Sequence, residues 1–301
     1  MYKPVLLMNI IYTIASFILV YLFAYTISPK YSAIYITPII FATYILLLII
    51  TIKILDNIKE KRNVMSLSVI AFIFMLFMII RCIQRLSFYT TGYYMLEKAP
   101  GFILLILIST MFKLDIKNNG LDIGRLTPYR KSICIACYVT PIIPLIVMLL
   151  KNINQLYISL NVAILSTGYY IVNSFFEEYL FRGLIFTWLS NTLLGTIWGG
   201  IVVQGILFGL WHLPHHIVAS NINIALIHML LASGIGILFG LIRAITGSII
   251  VPIILHTLWN TLITMVTATL KLDVIQISLF TSSYILSISL CWIIYKRIRV
   301  H

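Results

Sequence analysis

Two adjacent carboxylates, Glu177 and Glu178, lie in an apolar stretch of the chain, and Arg182 follows one helical turn after the second of them. The chain has eight acidic residues, and the other six fall in polar connecting segments. A charge at the depth of a bilayer costs roughly 2.5–3.5 kcal/mol on insertion scales, so charged residues there are candidates for function. If Arg182 holds Glu178 ionised and fixed, Glu177 is available to act as a base.

A structural explanation of the same residues is also complete. Ser174 and Glu177 form the capping-box spacing before an apolar run, which predicts a helix that starts near Phe175. Glu178 and Arg182 have the favoured order for an ion pair within one helix. In this interpretation Glu177 caps the helix, Glu178 pairs and neither does chemistry. It does not explain why a membrane helix carries these charges at all.

Two further polar elements follow in the sequence. His212 lies at the end of an apolar run that Pro214 cannot readily extend, and Phe208 precedes it by one turn. His256 and Asn260 are four residues apart inside a later apolar run, hence on one helical face. Taken alone, His212 is typical of an interfacial side chain. The pair His256 and Asn260 is also typical of polar contacts between packed membrane helices.

Together the three elements supply a base, an imidazole and two donors for a developing oxyanion. That set fits activation of water against a carbonyl group. The same residues also fit a zinc site, in which Glu177, His212 and His256 are the ligands and a fourth position holds water. The H-E-x-x-H motif of soluble metalloproteases is absent from the sequence.

The composition indicates the elements that must position these residues. Of the 301 residues, 61% are hydrophobic and 10% are charged, whereas soluble domains have about 25% charged residues. Apolar runs long enough to cross a bilayer recur along the chain, and they are continuous rather than alternating, which favours helices over a barrel. We expect an all-α, polytopic transmembrane helical bundle of about 8–11 spans. The spans are predicted at 5–27, 36–55, 64–80, 93–112, 133–150, 156–172, 175–192, 196–213, 224–243, 249–268 and 275–295.

The chain has a formal net charge of +13, and its basic residues cluster at the ends of the apolar runs. The positive-inside bias and contact with anionic lipids explain basic residues at these positions. We therefore expect membrane lipids as partners and no nucleic acid. The basic connectors at 56–63 and 113–131 and the basic tail place both termini in the cytoplasm, which requires an even number of spans.

The chain is predicted to have three parts. Residues 1–130 form N-terminal spans of unknown role, residues 131–272 form a core with every candidate for chemistry, and residues 273–301 form a last span and a basic cytoplasmic tail. If 175–192 and 196–213 are antiparallel spans, Glu177 and His212 lie at the same membrane level. In one continuous helix over 156–192, Glu177 would lie about 31 Å from the start of the helix. Its membrane level would then not match that of His212. We therefore expect a break near Asn173–Ser174.

The three elements, in this order, resemble the CPBP or Abi family of intramembrane proteases, which includes the CaaX proteases and bacteriocin-processing enzymes. The family pattern is Glu-Glu-x-x-x-Arg, Phe-x-x-x-His and His-x-x-x-Asn. It corresponds here to Glu177-Glu178-Tyr-Leu-Phe-Arg182, Phe208-Gly-Leu-Trp-His212 and His256-Thr-Leu-Trp-Asn260. The resemblance covers about 130–270 of this sequence.

The resemblance implies a peptidase whose site lies in a cavity open to the membrane. Glu177 and His212 would activate the water, Arg182 would hold Glu178, and His256 with Asn260 would stabilise the oxyanion. A divalent metal such as zinc is an open alternative, because family members are described both with and without one. The substrate would be a membrane-associated peptide or protein tail, and the composition favours a bacterial cytoplasmic membrane. The alternative function is a non-catalytic immunity or scaffold protein that binds a partner such as a bacteriocin target or a sensor kinase.

Overall fold

A computed structural model of the chain describes residues 160–190, 196–216 and 222–269. It also describes isolated helical positions, which are Phe74, Met78, Arg81, Ile143, Ile146, Val147, Leu150, Ser282, Ser283, Leu286, Ser289, Leu290, Ile293 and Arg297. Every regular element in these residues is helical, and no strand occurs among them. The described part of the chain is therefore all-α, as the sequence predicts.

Five α-helices follow one another along the described residues. They are α1 (Leu160–Glu178), α2 (Phe186–Trp188), α3 (Ile197–Leu210), α4 (Ile222–Thr246) and α5 (Ile250–Thr269). A π-helix at Tyr179–Ile185 joins α1 to α2, and a short 3-10 helix at Leu213–His216 follows α3.

In the part of the chain that the structure describes, two stretches of helix are long and apolar enough to cross a bilayer, Ile197–His216 and Ile222–Thr246. They correspond to the spans predicted at 196–213 and 224–243, and α5 corresponds to the span predicted at 249–268. Large apolar side chains such as Ile171 on α1, Ile227 on α4 and Ile254 on α5 are more than half exposed, as expected for helix faces that contact lipid. The spans predicted before residue 156 and after residue 269 lie outside the continuous described segments.

The predicted break near Asn173–Ser174 is wrong, and so is the predicted helix start near Phe175. Helix α1 runs without interruption through this stretch, and the chain remains helical through the π-helix and α2. The side chains of Asn173 and Ser174 are buried inside the fold, and no proline or glycine lies between Tyr169 and Arg182. A break at this depth would expose backbone groups that lipid cannot satisfy. The spans predicted at 156–172 and 175–192 are therefore one helix.

The chain divides into two compact units. The first unit comprises residues 1–107 and 207–232, and the second comprises residues 108–206 and 233–301. The carboxylates and the His256 segment belong to the second unit, and the His212 segment belongs to the first. This division does not follow the predicted domain boundaries, which stay a prediction.

The turn between α4 and α5 depends on a glycine and a serine that follow each other. Gly247 has a φ of 71°, the left-handed conformation that ends many helices, and its N–H donates to the carbonyl of Arg243 at 2.9 Å. The hydroxyl of Ser248 accepts from the N–H of Ile250 at 3.2 Å and so begins α5. Pro252 then lies in the first turn of α5, where its missing N–H breaks no helical bond. This turn fixes the start of α5 and so the position of His256 in the second turn of the helix.

Candidate active site

The centre of the second unit is a group of three buried side chains from α1, the π-helix and α5. Arg182 Nη1 donates to Glu178 Oε1 at 3.0 Å. His256 Nδ1 donates to the same oxygen at 2.7 Å, because an ionised carboxylate oxygen can only accept. Glu178 and Arg182 are completely buried, and His256 is 3% exposed. Glu178 is therefore an anchored carboxylate that holds a cation on one side and an imidazole on the other.

Glu177 has a different environment from its neighbour. It is 1% exposed, and its Oε2 lies 3.8 Å from Nε2 of His256. This distance is too long for a direct hydrogen bond, and a water could contact both atoms only from beside them. His256 thus uses one ring nitrogen for Glu178 and faces Glu177 with the other. We call Glu177, Glu178, Arg182 and His256 the carboxylate site.

Arg182 is held by α4 as well as by Glu178. Its Nη2 donates to the main-chain carbonyl of Gly236 at 3.1 Å, and its guanidinium carbon lies 5.0 Å from the centre of the Phe239 ring. The same ring lies 5.2 Å from the imidazole of His256. Phe239 therefore packs against both partners of Glu178.

A glutamine on α3 shares the carbonyl that binds Arg182. Gln204 is completely buried, and its Nε2 donates to the carbonyl of Gly236 at 2.7 Å and to that of Ile201 at 3.0 Å. A Cβ on Gly240 would lie 2.3 Å from this nitrogen, and a Cβ on Gly205 would lie 2.5 Å from Ile237. The two glycines therefore permit the close crossing of α3 and α4 through which Gln204 reaches its acceptor.

A second arginine contacts the π-helix that carries Arg182. The Nε of Arg243, at the end of α4, donates to the main-chain carbonyl of Arg182 at 3.3 Å. Its guanidinium carbon lies 5.9 Å from the centre of the Phe186 ring, and the residue is 8% exposed. Arg243 thus fixes the backbone of Arg182, while Glu178 and Gly236 fix its side chain. π-helical turns inside α-helices occur frequently at functional sites.

Helices α1 and α5 are antiparallel and in a definite register. Tyr170 on α1 contacts Thr264 on α5 through their hydroxyl groups at 2.5 Å, and Glu178 contacts His256. Glu178 lies eight residues after Tyr170 on α1, and His256 lies eight residues before Thr264 on α5. The two helices therefore run in opposite directions. Halfway between the two contacts, the same register places Asn260 opposite Ser174.

In the first unit, His212 lies just after α3 and packs on Phe208, with 4.7 Å between ring centroids. Its Nδ1 donates to the main-chain carbonyl of Phe208 at 2.7 Å, which leaves Nε2 as the basic nitrogen. A backbone carbonyl on Nδ1 is the usual way in which a catalytic or metal-binding histidine is oriented. The predicted pairing of Glu177 with His212 joins two units, and its supporting argument required the break in α1. That pairing stays a prediction.

Three more histidines surround His212 in the first unit. The ring centroid of His228 on α4 lies 5.2 Å from that of His212. Nδ1 of His228 and Nε2 of His216 are hydrogen-bonded at 2.7 Å. His215 lies 5.6 Å from His212 and contacts the guanidinium of Arg81. Neither His228 nor Arg81 belongs to a recognisable sequence motif, so neither could be predicted as part of this cluster.

Among the described residues, no group of three or more His, Cys, Asp and Glu side chains is arranged to hold a metal ion. Of the predicted zinc ligands Glu177, His212 and His256, the second unit contains the first and the third. Two ligands are fewer than the three that a catalytic zinc site uses. The metal therefore stays a prediction.

Within the second unit, the structure brings together four of the predicted site residues, namely Glu177, Glu178, Arg182 and His256. Asn260 is half-buried one turn after His256. Pattern matching missed Gln204 and the role of Arg243. Two facts of the sequence could have indicated them, a glutamine inside a long apolar run and an arginine at the end of another.

These features define an integral membrane protein with a buried acid–histidine site. The family model described as Rce1-like, type II CAAX prenyl endopeptidase, matches residues 159–262, roughly a third of the chain. This part of the chain is accordingly similar to the CAAX protease family, in agreement with the resemblance seen in the sequence. Searches of curated proteins and of solved structures gave no match.

Proposed function

We propose that this protein is an intramembrane endopeptidase that hydrolyses a peptide bond in a membrane-associated peptide or protein tail. The proposal rests on the different contacts that two adjacent carboxylates make. Glu178 accepts from Arg182 and His256 through one oxygen, so it serves as an anchor. Glu177 takes part in neither bond and faces the second nitrogen of His256 at 3.8 Å. The similarity to the CAAX protease family supports the same activity.

In the proposed first step, Glu177 removes a proton from a water that contacts its Oε2 and Nε2 of His256. The water oxygen forms a bond to the carbonyl carbon of the substrate, and the π electrons of that carbonyl move to its oxygen. The resemblance to the family also assigns His212 to the activation of water, and the ring of this residue is oriented by its bond to Phe208. General-base catalysis of this kind contributes about 10²–10⁴-fold.

The oxyanion is stabilised by His256 with Asn260. Glu178 keeps the imidazole of His256 in place through Nδ1, and in the imidazolium form of the ring Nε2 also carries a proton and can donate it to the developing charge. With His256 protonated, two carboxylates, one guanidinium and one imidazolium have no net charge, which favours their burial. In the second step Glu177 gives its proton to the leaving amine nitrogen, the C–N bond breaks, and a new carboxyl and a new amine result.

The substrate class follows from the location of the site. Buried charges among apolar helices can act only on a peptide that enters the membrane region, either as a lipid-anchored tail or as an apolar segment. The family description refers to prenylated CAAX tails. We propose the wider class of membrane-associated peptides and protein tails, in a bacterial cytoplasmic membrane.

The test is a comparison of membrane peptidomes from cells with the wild-type protein and with Glu177→Gln, which keeps the volume and removes the base. A peptide or trimmed tail should disappear in the variant, and its sequence would identify the substrate. Tyr170→Phe is the matched control, because it removes a hydrogen bond between the same two helices and leaves the carboxylate site intact. It should retain the product.

Identical peptidomes at equal protein levels would contradict the proposal. The same conclusion would follow if Glu177→Ala and His256→Ala both restored the phenotype of a deletion strain completely. Either result would favour the alternative function, a membrane protein that binds a partner without catalysis.

A further inference from the structure

Ser174 is a buried residue whose hydroxyl group has no hydrogen bond. Its exposed fraction is 0%, and its Oγ makes no hydrogen bond in the structure. The capping role that the sequence predicted for it does not apply, because Ser174 lies well inside α1. A serine within a helix commonly bonds back to the carbonyl one turn earlier, and this one does not. A buried polar group that remains unsatisfied is costly and requires an explanation.

The position of Ser174 connects it to the carboxylate site. Residues three and four positions apart in a helix are surface neighbours, with about 5–6 Å between their Cβ atoms. Ser174 therefore shares a face of α1 with Glu177 and Glu178. The register between α1 and α5, fixed by two hydrogen bonds, also places Ser174 opposite Asn260. The hydroxyl thus lies one turn from the base and level with a residue assigned to the oxyanion.

We infer that the hydroxyl of Ser174 is a third donor to the oxyanion, beside Asn260 and His256. This inference rests on the proposed function and adds a catalytic residue to it. In the resting site the hydroxyl has no partner, and it gains one when the substrate carbonyl becomes an oxyanion. A donor that is satisfied only in the transition state lowers the barrier rather than the energy of the bound substrate.

Ser174→Ala distinguishes this role from a structural one. If Ser174 only fills space, removal of an unsatisfied hydroxyl leaves the Tm unchanged or higher and leaves hydrolysis unchanged. If it is an oxyanion donor, the Tm behaves in the same way but kcat falls by about 10²–10³-fold, with KM within about twofold. Ser190→Ala is the matched control, since Ser190 follows α2 on the same continuous helical stretch and its hydroxyl also makes no hydrogen bond.

The experiment uses purified full-length protein in lipid vesicles and, as the probe, a synthetic copy of the peptide that disappears from the Glu177→Gln peptidome. A fall in kcat for Ser174→Ala, with normal activity for Ser190→Ala, would support the inference. Ser174→Cys, which keeps nearly the same volume with a weaker donor, should give an intermediate kcat. Equal activity of Ser174→Ala and wild type would overturn the inference and leave the proposed function intact. If Glu177→Gln loses no peptide, the proposed function fails and the role of Ser174 fails with it.

Discussion

Glu178 on α1 and His256 on α5 contact each other at 2.7 Å through one carboxylate oxygen and Nδ1 of the imidazole. The residues are 78 positions apart in the sequence, and they meet because α1 and α5 are antiparallel in a fixed register. The contact assigns different tasks to the two ring nitrogens. Nδ1 positions the ring, and Nε2 faces Glu177.

His256→Asn separates these two tasks. The side-chain amide of asparagine can replace Nδ1 as the donor to Glu178, but it has no group in the place of Nε2. We expect a Tm within about 2 °C of the wild type and a fall in kcat of about 10²–10³-fold. Thermal unfolding in detergent and cleavage of the identified peptide measure the two effects. His256→Leu is the comparison that loses both tasks and should also lose stability. Cleavage at the wild-type rate by His256→Asn would contradict the role of Nε2.

Glu178→Gln should destabilise the protein more than Glu177→Gln. The first substitution removes the charge that is bonded to the completely buried Arg182, and breaking such a pair costs about 3–5 kcal/mol. The expected fall in Tm is roughly 10 °C, measured by thermal unfolding in one detergent for both variants. The double variant Glu178→Gln with Arg182→Met should regain most of this loss, because it no longer buries an unpaired charge. An equal Tm for both single variants would show that Glu178 is not the anchor.

The sequence predicted the chemistry of the site better than its geometry. The pairing of Glu178 with Arg182 followed from a spacing of four residues, which any helical turn brings together. The position of His256 beside Glu178 depends on the register of two helices, and the sequence contains no signal for that register. The break predicted near Asn173–Ser174 came from the requirement that Glu177 and His212 lie at one membrane level, and a capping pattern predicted the helix start near Phe175. Neither argument outweighs the cost of free backbone groups in a membrane.

Gln204 shows another limit of sequence reasoning. A glutamine in an apolar run is visible in the sequence, but its function depends on which carbonyl it reaches. That choice follows from a close helix crossing that Gly205 and Gly240 permit. Glycines are common in membrane helices, so neither of them identifies a crossing before the partner helix is known.

Alanine substitutions at four glycines test the crossing of α3 and α4. A Cβ at Gly205 would meet main-chain nitrogen of Ile237 at 2.8 Å, which a side-chain movement cannot relieve. Gly205→Ala should destabilise the protein by about 1–3 kcal/mol, seen as a lower Tm. Gly240→Ala should have a smaller effect on Tm because its Cβ would meet the end of a side chain.

Gly168→Ala and Gly234→Ala are the controls for these two substitutions. Both glycines are helical, and a Cβ there would meet nothing within 4 Å. Alanine has the higher helix propensity, by about 0.5–1 kcal/mol, so the Tm should stay the same or rise. A Tm for Gly205→Ala as high as for the controls would contradict the close approach of α3 and α4.

Gln204 and Arg182 should be energetically coupled because both donate to the carbonyl of Gly236. Gln204→Met keeps the length of the side chain and removes both N–H groups, and Arg182→Met removes the other donor. The loss of stability in the double variant should differ from the sum of the single losses by about 0.5–3 kcal/mol, as for residues in one network.

Ile201→Val is the control on the same helix, because its side chain takes no part in the hydrogen bonds to Gly236. Its effect on stability should add to that of Arg182→Met within about 0.5 kcal/mol. Additive losses for Gln204 and Arg182 would mean that Gln204 only joins the two helices and does not position the arginine.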